Sequence, residues 1–148
     1  MTLKKMNDKK FVPLFYAPQI RLALKPEDKM CVTFANYLKK FSMEGKLKAV
    51  WLHIPNEFSG KQHFHFGNKL RMMGKIKGAY DYVFTWGTGS GFIEFKAGKN
   101  KLTSEQQIFG DWCAVNGVSR AVVYSVSQAL DALKEWGVLD KSAKFWEE

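Results

Sequence analysis

The sequence predicts an α/β fold in which a central mixed sheet is flanked by helices. Residues 30–41 place apolar side chains three and four positions apart, as in an amphipathic helix. Two runs of alternating apolar residues surround the glycine-rich segment GTGSG, as in a β-hairpin. A capped helix, a short apolar strand and another helix follow. The predicted order is helix, strand, short helix, hairpin, helix, strand, helix.

Length and composition are those of one packed domain. The chain has 148 residues, of which 46% are hydrophobic and 15% are aromatic, and this composition excludes a disordered chain. We assign residues 1–25 to a basic N-terminal arm and residues 26–148 to a single domain. Pro13 and Pro18 argue against a long helix in the arm. The arm could contact phosphate or a partner subunit, or form a partly ordered tail over residues 1–10.

The first long helix is predicted to begin at Pro26 and to end near Gly45. Proline suits the first helical turn, and Glu27 and Asp28 place negative charge at the positive end of the helix dipole. Residues 48–54, KAVWLHI, are predicted to form a strand that the following proline ends.

A short basic helix is predicted next, with Asn68 as its N-cap and Gly74 as its stop. The segment before it contains His63 and His65, which lack the third ligand that a transition-metal site needs. The helix and the residues after it form a basic patch just ahead of Asp81, where phosphate contacts are expected. The patch consists of Lys69, Arg71, Lys75 and Lys77.

The predicted hairpin carries three charged residues in otherwise apolar strands. Asp81 lies in the first strand, and Glu94 and Lys96 lie in the second. Because side chains alternate along a strand, the last two share one face, and Ile93 and Phe95 point to the other. Buried charges are costly unless they are paired or bind a metal. If the hairpin brings Asp81 close to Glu94, two carboxylates and an ammonium form a site for a hard cation.

The helix after the hairpin begins with a capping box. Thr103 lies three residues before Gln106, and Ser104 lies three residues before Gln107, so either pair can cap the helix. Gly117 is the predicted C-terminal stop. The first turn of this helix is expected close to the end of the second hairpin strand.

The end of the chain is predicted to form a strand and a helix. Residues 121–124 are fully apolar, as in a strand inside a sheet with both faces covered. Ser125 and Gln128 can cap the last helix, and Gly137 ends it. We expect the tail to add a last turn, with Trp146 docked on the domain or joined to a partner.

Positive charge is concentrated in the part of the chain that contains Asp81 and Glu94. The formal net charge is +9, made up of +6 in residues 1–59, +6 in residues 60–101 and −3 in residues 102–148. A basic surface around an acidic cluster suits a polyanion, above all a nucleic acid, although solvated lysine-rich faces are also common.

Cysteine usage and hydropathy are typical of an intracellular protein. Cys31 and Cys113 lie far apart and outside any zinc-binding spacing, so we expect reduced thiols. The polar start MTLKKMNDKK is unlike a signal peptide, and no segment is long and apolar enough for a membrane span. We therefore expect a cytoplasmic location and no membrane partner.

Four short motifs follow one another in the sequence. They are GAYD at 78–81, FIEFK at 92–96, KLTSEQQ at 101–107, and a glycine followed by the apolar VVYS at 122–125. This succession resembles the VRR-NUC domain of the PD-(D/E)XK nuclease superfamily, which reads Gly-x-Pro-Asp, Glu-x-Lys, Leu-Ser-Pro-Glu-Gln, then a glycine and an apolar strand. The resemblance extends over residues 26–136. Tyr80 departs from it, because the family usually has proline there, and Thr-Ser replaces Ser-Pro before Glu105.

The resemblance implies a restriction-endonuclease-like core with the order αβββαβ and the activity of a metal-dependent DNA endonuclease. The implied catalytic residues are Asp81, Glu94, Lys96 and Gln106. The implied ligands of Mg²⁺ or Mn²⁺ are Glu27, Asp81, Glu94 and the main-chain carbonyl of Phe95. The expected nucleic-acid contacts are Asn56, Lys69, Arg71, Lys75, Lys77, Lys99 and Lys101.

Stand-alone members of this family occur in phages and prophages and resemble Holliday-junction resolvases. The resemblance therefore implies a homodimer that cuts branched, junction or flap DNA in a bacterial or phage-infected host cell. A catalytically inactive nucleic-acid-binding module and a basic interaction protein remain open as alternatives. Without the resemblance, a salt bridge on an exposed sheet face, Glu94 with Lys96 or Asp81 with Lys77, would explain the charged residues.

Overall fold

Four strands form one mixed sheet in the order β1-β2-β3-β4. The structure, a computed structural model, describes residues 9–55 and 64–146. The strands are β1 Val50–His53, β2 Tyr82–Trp86, β3 Gly89–Phe95 and β4 Ser119–Val123. β2 is antiparallel to both β1 and β3, whereas β3 and β4 are parallel. The predicted α/β class with a mixed sheet is therefore confirmed.

The helices follow the predicted order along the chain. They are α1 Pro26–Met43, α2 Phe64–Met72, α3 Ser104–Val115 and α4 Val126–Glu135. A 3-10 helix at Lys9–Phe15 precedes them in the arm, and the ring of Phe15 stacks on Trp51 with centroids 6.1 Å apart. None of the helices within the described residues is long and apolar enough to cross a membrane.

Helices lie on both faces of the sheet and bury most apolar side chains of β2 and β3, whereas Val50 and Leu52 of β1 are exposed. On one face, α1 and α4 pack on β2 and β3, and their shared core is built from Phe34, Leu38, Phe84, Ile93, Phe95, Ala129 and Leu133. On the other face, Phe109 and Cys113 of α3 pack with Tyr80 and, more peripherally, Phe92. Ile93 and Phe95 are fully buried, so the predicted apolar face of the second hairpin strand is confirmed.

The hairpin turn is tighter than the segment GTGSG suggests. Trp86 pairs with Gly89, so the turn consists of two residues, and the last three residues of the glycine-rich segment belong to β3. Gly91 is needed for packing, because a Cβ atom there would lie 2.5 Å from the ring of Trp136. A glycine in a strand interior often marks such a close approach by another part of the chain.

Asn68 does not cap α2, because that helix already begins at Phe64. An asparagine in a helix interior costs only a few tenths of a kcal/mol relative to other polar residues, so its presence alone does not mark a helix start. The predicted stop at Gly74 is confirmed by its φ of 110°. The strand predicted over residues 48–54 is shortened to the four residues of β1.

β4 lies at an edge of the sheet, because the strand order places it beyond β3 and no further strand of the described chain pairs with it. The sequence predicted an internal strand. Helices α3 and α4 both contact β4, so its two faces are covered while one of its edges stays unpaired by strands. An apolar sequence indicates that both faces of a strand are covered, but it does not indicate how many strands pair with it.

Candidate active site

Strand pairing brings Asp81 opposite Glu94 at one end of the sheet. Asp81 lies one residue before Tyr82, which pairs with Ile93 in the antiparallel hairpin. The Asp81 carboxylate accepts a hydrogen bond of 2.8 Å from the backbone N–H of Phe95. Its backbone carbonyl accepts another, of 2.7 Å, from the N–H of Ile54. Both β1 and β3 therefore hold Asp81 in place.

The carboxylate of Glu94 is buried, and the residue is 3% exposed. Its Oε2 accepts a hydrogen bond of 2.9 Å from Nε2 of Gln106 and lies 3.8 Å from Nζ of Lys96. Its Oε1 is buried and has no hydrogen-bond partner among the described residues. Leaving a buried polar atom unsatisfied costs about 1–3 kcal/mol, and more for a charged group, so this oxygen is suited to a ligand.

Burial and mutual repulsion favour protonation of the two carboxyl groups. Burial raises the pKa of Glu94 to about 8, and the charge of Asp81 adds to this rise while Lys96 opposes it. Burial also raises the pKa of Asp81, against the lowering effect of the hydrogen bond from Phe95. Two carboxyl groups whose pKa values are raised in this way favour holding a proton at the site until a cation replaces it.

Lys96 is 7% exposed, an unusual position for a lysine side chain. It follows the end of β3, and its backbone N–H donates a hydrogen bond of 2.9 Å to the carbonyl of Val123 in β4. Its ammonium forms an ion pair with Glu94. The interaction is buried, so the predicted alternative of a salt bridge on an exposed sheet face does not describe this pair.

Gln106 is positioned by the cap of α3. The hydroxyl of Thr103 accepts a hydrogen bond of 3.2 Å from the backbone N–H of Gln106, and Oε1 of Gln106 accepts one of 2.9 Å from the backbone N–H of Thr103. The predicted capping box is therefore confirmed for this pair. The remaining amide group, Nε2, points to Glu94.

Gly78 allows the first turn of α3 to reach the site. Its φ is 90°, and a Cβ atom there would lie 2.5 Å from the backbone carbonyl carbon and oxygen of Glu105. A side chain at this position would therefore push α3 away from the segment that leads into Asp81. The next residues add packing, since Tyr80 is buried against Phe109 with ring centroids 5.1 Å apart.

Glu27, at the start of α1, contacts the loop that follows β3. Its Oε1 accepts hydrogen bonds from the backbone N–H of Ala97, at 3.1 Å, and from Nδ2 of Asn100, at 3.3 Å. The hydroxyl of Tyr124 donates to the backbone carbonyl of Asn100 at 3.1 Å. Asn100 and Tyr124 could not be predicted from the sequence, because contacts between separate elements leave no local pattern.

Within residues 9–55 and 64–146, no group of three or more His, Cys, Asp or Glu side chains is arranged to hold a metal ion. The site instead contains two carboxylates, those of Asp81 and Glu94. Oε1 of Glu94 is buried and has no hydrogen-bond partner among the described residues. Mg²⁺ is commonly bound through one or two carboxylates, with water and substrate phosphate completing its shell. A carboxylate pair therefore fits Mg²⁺ or Mn²⁺ better than it fits zinc.

The predicted DNA-contacting residues lie on several separate segments of the chain. Lys69 and Arg71 are exposed in the last turn of α2, and Lys99 and Lys101 are exposed in the loop after β3. Lys77 forms an ion pair of 3.4 Å with Glu105, so part of its charge is neutralised. Lys75 is half-buried, and Asn56 lies outside the described residues.

His53 is a neighbour of the site that the sequence analysis did not single out. It ends β1, its ring lies 5.0 Å from that of Tyr82, and its charge would lower the pKa of Asp81, which burial raises. The sequence signal for His53 was its position as the polar residue of an otherwise apolar strand.

Comparison of the chain with protein-family models, curated proteins and solved structures finds no match.

Proposed function

We propose that this protein is a metal-dependent endonuclease that hydrolyses DNA phosphodiester bonds and prefers branched, junction or flap DNA. The observation that carries this proposal is the half-buried carboxylate of Asp81 opposite the buried Glu94, next to the buried ammonium of Lys96. Burying Glu94 and Lys96 costs stability. Ionisable groups perturbed by burial and by a charged neighbour are concentrated at functional sites, which supports a catalytic role.

The element order supports a restriction-endonuclease-like core. α1, β1, β2, β3, α3 and β4 follow one another in the order αβββαβ, with α2 inserted between the first two strands. We propose that these elements form the core of a nuclease of the PD-(D/E)XK type. The VRR-NUC resemblance of the motifs at 78–81, 92–96 and 101–107 supports the same assignment.

We assign the metal to Asp81, Glu94 and the main-chain carbonyl of Phe95. Mg²⁺ or Mn²⁺ bound there would lower the pKa of a coordinated water, which attacks the phosphate, and would polarise the phosphate oxygens. The unsatisfied Oε1 of Glu94 supports this assignment, because a cation would provide the missing partner. The resemblance adds Glu27 as a ligand, but the contacts of its Oε1 with Ala97 and Asn100 favour a role in holding the loop.

Lys96, Gln106 and the backbone N–H of Phe95 have distinct roles in this proposal. Lys96 places a fixed positive charge where negative charge develops on the phosphate during attack, or orients the water. Gln106 holds Glu94 through its Nε2, so that the carboxylate keeps one orientation. The N–H of Phe95 does the same for Asp81.

A preference for branched DNA and a homodimeric state are extensions of the resemblance. Resolving a junction requires two cuts, which two sites related by a two-fold axis can deliver. The net charge of +9 supports attraction to a polyanion. An inactive binding module would use the exposed lysines and would not require two adjacent carboxylates beside a buried lysine, so this arrangement favours the nuclease.

The test is cleavage of end-labelled junction, flap, duplex and single-stranded DNA with Mg²⁺, Mn²⁺ or chelator. We expect the wild-type protein to cut with either metal and to be inert in chelator. Glu94→Gln and Lys96→Gln should abolish cutting and leave DNA binding largely intact. Lys40→Gln, an exposed change on α1, serves as the control purified in parallel. Undiminished cutting by both site variants would reject the proposal.

A further inference from the structure

A cavity of about 320 Å³ lies between the outer side of α4 and the chain that follows this helix. We call it the α4 pocket. Its charged lining residues are Asp131, Lys134, Lys141 and Lys144, and Ser127 and Trp146 are among the others. Lys141, Lys144 and Trp146 are exposed, so the pocket opens to solvent. None of these residues belongs to the candidate active site.

The lysines of the α4 pocket stand out against an acidic background. Residues 102–148 carry four Lys/Arg and seven Asp/Glu, yet three of these four cations line this one cavity. Asp131 is the carboxylate that lines it within the described chain, and Glu147 and Glu148 lie outside the described residues. Three lysines lining one cavity favour an anion with several charges.

Trp146 is held in place by its backbone while its ring remains accessible. Its N–H donates a hydrogen bond of 2.9 Å to the hydroxyl of Tyr37 in α1. The preceding Phe145 packs on Tyr37 with ring centroids 5.3 Å apart, and Ala143 is fully buried. The residue itself is 69% exposed, and Nζ of Lys144 lies 5.9 Å from the ring centroid. An indole fixed in this way is a platform for stacking a planar ring.

The first turn of α4, which lines the pocket, follows the end of β4 beside the candidate active site. β4 ends beside Lys96, whose N–H bonds to Val123. The next residue, Tyr124, is 43% exposed and bonds to Asn100 in the loop after β3. Ser127 follows in the first turn of α4 and already lines the pocket. Along α1, the ten helical steps from Glu27 to Tyr37 span roughly 15 Å, a distance that a few nucleotides can cover.

We propose that the α4 pocket binds a single-stranded segment of nucleic acid, with a base stacked on Trp146 and phosphates on Lys134, Lys141 and Lys144. Stacking on an aromatic ring combined with lysine contacts to phosphate is how proteins bind single strands without sequence preference. The purpose of the pocket, to receive the unpaired strand of a branched substrate, rests on the proposed nuclease function. The binding itself does not depend on catalysis.

The test measures the fluorescence anisotropy of a labelled oligothymidylate in chelator, so that no cleavage occurs. One variant replaces Lys134, Lys141 and Lys144 by glutamine. Its matched control replaces Lys29, Lys40 and Lys48 by glutamine. These lysines lie outside the pocket, and their replacement removes the same amount of charge. Trp146→Ala removes the stacking platform, and Trp146→Phe restores an aromatic ring.

We expect the pocket triple variant to bind the oligonucleotide more weakly than the control triple variant and to reduce the salt slope of log affinity by about 2, for three lost phosphate contacts. Trp146→Ala should weaken binding by at least about fivefold, and Trp146→Phe should recover most of this loss. Free thymidine monophosphate should bind far more weakly than the oligonucleotide.

Equal affinities of the two triple variants would overturn the proposal. Equally tight binding of thymidine monophosphate would indicate a mononucleotide site, and equally effective competition by polyglutamate would indicate an acidic peptide, and either result would reject a single strand as the ligand. Cleavage is measured separately with Mg²⁺. Normal oligonucleotide binding without cleavage would reject the nuclease function and leave the α4 pocket in place.

Discussion

Gln106 links the N-terminal cap of α3 to the buried carboxylate of Glu94. Its Oε1 accepts from the backbone N–H of Thr103, and this leaves Nε2 to donate to Oε2 of Glu94 at 2.9 Å. The cap therefore fixes which end of the amide faces the site. One short motif thus specifies both the start of a helix and the orientation of a candidate metal ligand.

Gln106→Glu is expected to separate these two roles. Glutamate can still accept the hydrogen bond from Thr103, so the cap and the stability of the fold should be largely retained. The donor to Glu94 is lost, and a third negative charge is placed beside Asp81 and Glu94. DNA cleavage should fall by at least tenfold, while the unfolding temperature should change by only a few degrees.

Thr103→Ala is the complementary change and the control for this prediction. It removes the hydroxyl that accepts from the N–H of Gln106, which should cost about 1 kcal/mol of stability. Its effect on cleavage should be smaller than that of Gln106→Glu, because the amide donor is still present. Losses of cleavage that simply follow the losses of stability in both variants would show that Gln106 has a structural role alone.

The raised pKa of Glu94 predicts how stability depends on pH in the absence of metal. The folded protein keeps a proton that the unfolded chain releases, because burial moves this pKa from 4.5 to about 8. The free energy of unfolding should therefore fall as the pH rises through this range and level off above about 8. Urea denaturation in chelator at a series of pH values measures the slope.

Glu94→Gln should flatten this pH dependence, because the titrating group is removed. Met72→Leu, an exposed change in α2 that removes no titrating group, should leave the slope unchanged. Added Mg²⁺ should stabilise the wild-type protein most at high pH, where the carboxylates are free to bind it. A wild-type stability that rises with pH between 5 and 8 in chelator would contradict the role assigned to burial.

Local chemistry explains which parts of the fold and site were predictable. The boundaries of α1 and α3 follow from Pro26, Gly45 and the Thr103–Gln106 capping box, which act within one turn of the chain. The meeting of Asp81 with Glu94 follows from strand alternation and hairpin pairing. The two-residue turn could not be predicted in this way. Gly91 is a glycine because the ring of Trp136, just after α4, packs closely against it, and not because it is part of the turn.

Contacts between distant elements account for the remaining differences. The hydrogen bonds of Glu27 to Ala97 and Asn100 join the first helix to a loop far along the chain, and no spacing in the sequence encodes them. The edge position of β4 could not be inferred from the sequence either. Its apolar run follows from coverage by α3 and α4, which an edge strand and an internal strand can share.

Glu27→Gln should discriminate between a metal ligand and a residue that holds the loop. The glutamine oxygen can accept the same two hydrogen bonds, from Ala97 and Asn100, so loop position and stability should be retained. We expect the Mg²⁺ concentration for half-maximal cleavage to stay within about twofold of wild type, since a lost ligand would change it far more. Glu27→Ala should weaken DNA binding through the loop that carries Lys99 and Lys101. A large rise in the Mg²⁺ requirement of Glu27→Gln would instead assign Glu27 to the metal.

Gly78→Ala should disrupt the approach of α3 to the site. The left-handed φ of 90° costs a side-chain-bearing residue about 1–2 kcal/mol, and the new Cβ would also meet the backbone of Glu105 at 2.5 Å. Displacing this turn would pull Gln106 away from Glu94, so the folded fraction should have lost most of its cleavage activity. Gly74→Ala is the matched control, because its φ of 110° carries a similar backbone cost while its Cβ would meet no atom within 4 Å. Urea unfolding and cleavage assays check both variants, and wild-type behaviour of Gly78→Ala in both would show that this contact does not set the geometry of the site.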